Sequence, residues 1–159
     1  MSIRSIRYDI IQEFKSILES ISVANDYNTD VASVSDKLTI DQPESIDKDK
    51  LPACFILDEN ETKEPFSIFS VAGEDMQSTL TISVTSIVFD RSGDTAMART
   101  DLIVDIESAV VSDAGLLALL IEPASPTTTE TDQGYFGNYS VFKQSFDCVY
   151  IYNHSGGGA

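Results

Sequence analysis

Between Ser78 and Phe89 the residues alternate with the period of a β-strand. Leu80, Ile82, Val84 and Val88 fall on one side, and Thr79, Thr81, Ser83 and Thr85 on the other. A strand with one apolar face must bury it against a second layer. The chain supplies that layer near its start, where Ile3, Ile6, Ile10, Phe14, Ile17, Leu18 and Ile21 recur at spacings of three and four. Arg4, Asp9, Gln12, Glu13, Lys15 and Glu19 lie between them. This spacing predicts an amphipathic helix over Ser2–Ile21, with Ser2 as N-cap and the Asn25–Asp26 pair as the turn that follows. Strand and stripe together predict an α+β fold: a mixed, mainly antiparallel β-sheet, two main helices packed on one face, and long loop arms. Leu80, Ile82 and Val84 are expected beneath the first helix.

The remaining elements follow from local pattern. Tyr27–Val34 suits a short strand, and the charged stretch Asp36–Lys50, with Pro43, a surface loop. Ala53–Leu57 is a continuous apolar run begun by Pro52, which predicts a strand covered on both faces and central in its sheet. Asp58–Gln77 is an acidic excursion, followed inside it by Phe66, Ile68, Phe69 and Val71, and reads as a long loop or hairpin arm. Ser92 or Asp94 can cap a second helix ending near Ser112, whose Ala98, Leu102, Ile103, Ile106, Ala109 and Val110 share a face. Met97, Val104 and Val111 lie off that face and form a second apolar patch open to a partner. Leu116–Ile121 reads as a strand leading into a Thr-rich, flexible tip from Pro123 to Gln133, and Tyr139–Tyr152 as a long closing strand. Residues 1–153 are expected to form one domain and 154–159 a flexible, Gly-rich tail.

With 159 residues, one domain with a proper core is expected. The net charge of −16, from 26 acidic and 10 basic residues, opposes binding to phosphate backbones. No apolar run approaches the ~20 residues of a membrane span. The N-terminus lacks a signal-peptide pattern, which predicts synthesis in the cytoplasm. Cys54 and Cys148 sit in apolar, strand-like surroundings without metal or redox spacing, and are expected buried and reduced. The single histidine, His154, stands beside the Gly-rich end, where no fixed acid–base geometry is expected. Phosphate-loop, nucleophile-elbow and zinc-helix motifs are absent from the sequence, and the Asp58, Glu59, Glu61 cluster lacks the order of a calcium loop. The sequence therefore predicts no enzyme, no cofactor and no metal site.

In chain order, several segments resemble the phage tail-terminator family and the related tail-completion and neck proteins. They are Tyr27–Val31 (Tyr-Asn-Thr-Asp-Val), Leu51–Leu57, Thr79–Val88, the Asp101–Leu116 run with its Ser-Asp-Ala-Gly-Leu ending, and Phe146–Tyr152. The resemblance implies a structural virion protein, made in the host cytoplasm and placed in the tail or neck. It implies six copies in a ring at the head-proximal end of the tail tube, which stop tube assembly and join the tail to the head connector. The implied partners are other copies of the chain, the tail tube protein and the connector or neck proteins; DNA passes through without specific binding, and no membrane is involved. The long Asp58–Gln77 excursion, the Thr-rich tip and the stronger acidity depart from the commoner pattern.

Within that frame the two arms, Asp58–Gln77 and Pro123–Asn138, are expected to make the contacts between subunits, with Phe66, Ile68 and Phe69 as apolar anchors. Glu59, Glu61, Glu64, Glu130 and Asp132, read as loop residues free to face water, are the candidates for an acidic channel wall. Two other readings of the same residues are a head–tail joining protein that caps the connector, and a soluble acidic binding or chaperone module. An enzyme built on a carboxylate metal site is the weakest reading.

Overall fold

The alternating segment forms the middle of the sheet. In the computed structural model, which describes residues 3–37, 43–66, 75–132 and 137–153 (backbone alone for 3–5 and 153), the strands are β1 (Ser33–Ser35), β2 (Ala53–Pro65), β3 (Asp75–Phe89), β4 (Ser125–Thr131) and β5 (Tyr139–Asn153). Their order is β1-β2-β3-β5-β4, with the β1–β2 pair parallel and the rest antiparallel. The helices are α1 (Ile3–Glu19), α2 (Thr95–Ser112) and α3 (Ala114–Leu119). This is the expected α+β class.

One face of the sheet, here the inner face, carries Ile56, Leu80, Ile82, Val84, Phe142, Phe146, Cys148 and Tyr150, all fully buried. Ile10, Phe14, Leu18, Leu102 and Ile106 of α1 and α2 complete the same core. Phe14 meets Phe146 edge to face at 5.8 Å, which fixes α1 over β5. Gln144 on β5 donates to the carbonyl of Ile103 at 3.1 Å, which ties α2 to the same face. Asp94 caps α2 through Met97 N, as its position before the periodic run predicts. Both cysteines are buried and free. Among the described residues no helix is long and apolar enough to cross a membrane.

Four expectations change. The strand placed at Tyr27–Val34 contracts to Ser33–Ser35, because the preceding backbone donors are engaged elsewhere: Asn28 N and Nδ2 bind the buried Asp105 carboxylate at 2.8–3.1 Å, and Val31 N binds the Ile21 carbonyl at 3.0 Å. Ala53–Leu57 is not central; β3 is, and Phe55 and Leu57 lie partly exposed on the outer face. Leu116–Ile121 is not a strand. Asp113 caps α3 by accepting from Leu116 N at 2.7 Å, and the helix buries Leu116 against α1. The Thr-rich tip is largely the edge strand β4, in register with β5 from Ser125↔Asp147 to Thr131↔Phe142. Ser2, residues 133–136 of the tip, and the 154–159 tail lie outside the described residues.

Candidate assembly surface

The acidic excursion is the long hairpin of β2 and β3, paired as far as Pro65↔Met76, after which Phe66 N donates to Asp75 O at 3.1 Å. β1 covers only Ala53–Phe55, so the outer edge of β2 from Leu57 to Pro65 has no neighbouring strand among the described residues. Phe66, at the end of that edge, is 47% exposed. Ile68 and Phe69, the other two anchors, lie outside the described residues.

Strand formation here depends on a bulge. The register shifts between Asp58 and Asn60, so the even-numbered Asp58 and the odd-numbered Glu61 and Lys63 all reach the inner face, while Glu59 turns to the outer one. On the inner face Arg7 of α1 pairs with Asp58, and its Nη1 lies 3.3 Å from Glu61 Oε2. Ser78 Oγ donates to Glu61 Oε1 at 2.7 Å, the Tyr150 hydroxyl donates to the same oxygen, and Lys63 Nζ stands 3.5 Å from Oε2. Burial pushes the Glu61 carboxyl up, but those hydrogen bonds and the two cations outweigh it and hold its pKa below the ordinary value. Burial and the bond to Glu61 push the Tyr150 phenol up to about 12.

None of the five acidic candidates is a free loop carboxylate in the sense expected. Glu59, Glu61 and Glu64 lie on β2, Glu130 lies on β4, and Asp132 follows β4 directly. Glu59 pairs with Lys143 on the outer face. Asp132, with its side chain 5% exposed, takes Arg99 Nη1 at 3.4 Å, Ser140 Oγ at 3.1 Å and Val141 N at 2.8 Å, and so pins the end of β4 to β5 and α2. Glu61 is committed to the inner network. Glu64, which accepts from Gln77 at 3.1 Å, and Glu130, opposite Lys143, stay exposed, and both register onto the outer face. Around them that face presents Thr62, Thr79, Thr81, Thr85 and Thr128.

Sequence reasoning missed the cations that organise these groups. The available signals were Arg7 on the flank of the α1 stripe and a tyrosine, Tyr150, on an apolar strand face where its hydroxyl needs a partner. It also missed an open groove of about 480 Å³ beside the start of α2, lined by Val23, Pro52, Val88, Phe89 and Met97 together with Asp30, Asp90, Asp94 and Asp101. These four aspartates meet no cation in an ion pair among the described residues; Lys48 stands over the Phe89 ring nearby, 4.7 Å from its centre.

Comparison with known protein-family models gives no match, and comparison with curated proteins gives none either. Among the described residues no group of three or more His, Cys, Asp or Glu side chains is arranged to hold a metal ion. His154 lies outside the described residues.

Proposed function

We propose that this chain is a structural assembly subunit without catalytic chemistry, which closes with copies of itself into a ring, most simply of six, at the head-proximal end of a phage tail. There it ends tube growth and meets the head connector. The observation that carries the reading is the pair of unlike open edges on opposite sides of one sheet: the β2 edge ending in exposed Phe66, and the fully exposed β4. A ring needs heterologous contacts, in which one patch meets a different patch on the next copy, and two unlike edges supply them.

The channel wall in this reading is the outer sheet face. The two wall candidates whose carboxylates stay exposed, Glu64 and Glu130, are both there, among hydroxyl side chains and the neutralised Glu59–Lys143 pair. Such a wall holds few cations to grip passing phosphates. Imaging of purified Phe66→Asp protein beside the natural chain, alone and on assembled tails, tests the reading. Exposed Phe66 predicts a folded variant that fails to form rings and leaves tails uncapped. Rings and normal tail lengths from the variant would remove the hairpin tip from assembly.

A second reading, a soluble acidic binding module, is favoured by the groove with its four aspartates. It predicts a monomer or dimer in solution, so sizing separates the two.

A further inference from the structure

The exposed side of α2 carries an apolar seam that the ring reading does not use. Met97, Val104 and Val111 are seven residues apart and 63, 53 and 40% exposed, so they line up along the solvent side of the helix. Val104, Glu107, Ser108 and Val111 line a shallow hollow of about 320 Å³. Helical geometry puts Asp101 on one flank of Val104 and Glu107 on the other, each three residues away. Neither carboxylate meets a cation among the described residues. Arg99, the one basic residue of α2, is turned to Asp132 and Ser140.

We infer that this seam docks an amphipathic helix of another protein, one whose apolar stripe is flanked by lysine or arginine. A seven-residue repeat is one of the two apolar positions of a heptad, and a partner helix at a shallow crossing angle can follow it, while the acidic flanks select cations beside the stripe. A second copy of this chain fits poorly. Two α2 seams face to face would set Asp101 and Glu107 against each other, α1 has its stripe buried as Ile10, Phe14, Ile17 and Leu18, and α3 buries Leu116. Among the described residues of α1 Tyr8 stands as a single exposed large apolar side chain, and α3, with Leu117 exposed, carries no cation. The inference does not rest on the ring reading, and its test reads no ring.

The test uses the whole protein and two synthetic helical peptides with leucine at the a and d positions, one with lysine at e and g and its twin with glutamate there. Binding is followed by the amide NMR spectrum of the protein. The lysine peptide is expected to bind, to shift the amides along Met97, Val104 and Val111, and to bind at least tenfold more tightly than its twin. Val104→Ser with Val111→Ser, both at exposed positions, is expected to weaken it about tenfold, since each change withdraws apolar contact from the docked helix. Asp101→Asn with Glu107→Gln is expected to weaken it severalfold and to flatten its salt dependence. No binding, equal binding of the twins, unchanged affinity in either double variant, or shifts centred elsewhere would each overturn the inference. Self-association of the protein alone that the serine variant abolishes would also overturn it, assigning the seam to a second copy.

Discussion

At the scale of single residues the consequential group is the inner-face network of Arg7, Asp58, Glu61, Lys63, Ser78 and Tyr150. The Glu61 carboxyl is held below its ordinary pKa in the fold, so its contribution to stability is present above the unfolded value of 4.5 and is lost as pH falls through the folded one. The Tyr150 phenol is raised from 10.0 to about 12, so its contribution is full below pH 10 and is lost as pH rises toward 12. Denaturation across pH is therefore expected to show a shallower acid limb in Glu61→Gln and a shallower alkaline limb in Tyr150→Phe. An unchanged limb in either variant would remove that group from the network. Cys54 and Cys148 are pushed up to about 12 by burial, with Asp147 adding to the second, so neither thiol reacts as thiolate in the folded chain. A thiol reagent is expected to label both only at the rate of global unfolding; prompt labelling of the native protein would place them at the surface. Ile82, fully buried at the centre of β3, tests the core itself. Ile82→Ala is expected to cost about 2–5 kcal/mol, and Ile82→Asp to prevent soluble expression; natural yield and melting from the aspartate variant would contradict its place in the core beneath the helices.

At the scale of elements, what the sequence disclosed depended on whether local pattern or pairing decides the structure. α1, β3, α2 and β5 were legible because each carries a long apolar periodicity, and the core is built from those residues. The hairpin beyond Asp58 was only half legible: Asp, Glu and Asn disfavour strands, and the segment extends because β3 supplies a ladder and Arg7, Lys63 and Lys143 pair with Asp58, Glu61 and Glu59. Thr127–Thr131 has β-forming residues but no apolar face, so only the partner strand β5 makes it a strand. Leu116–Ile121 is a short apolar run, a length at which helix and strand look alike; the Asp113 cap was the signal that separated them. In the candidate site, exposed Phe66 was legible, whereas the fate of Glu61 turned on the bulge, which no period reveals. Asp132 gives this scale its own test. Asp132→Ala removes the bonds from Arg99, Ser140 and Val141, and is expected to cost about 2 kcal/mol and to speed amide exchange along β4 more than along β3. Equal exchange in both strands would show that β4 does not depend on the pin.

At the scale of the whole molecule the charge of −16 must be overcome whenever copies meet. Like-charged subunits repel over a Debye length, ~8 Å in physiological salt and ~30 Å at 0.01 M. Association is therefore expected to strengthen as salt rises; association that weakens with salt would mean that ion pairs, and not the apolar tip and open edges, hold the copies together. In the proposed ring the same charge suits the passage of DNA, because a wall of hydroxyls with Glu64 and Glu130 offers few cations for phosphate. All of this stands or falls with the ring itself. The most direct measurement is the native mass of the purified protein at physiological salt, taken with images of the same sample. A ring subunit gives one dominant species at six times the chain mass, with a central hole in projection. A monomer or dimer at every concentration would contradict the ring and favour the soluble binding module.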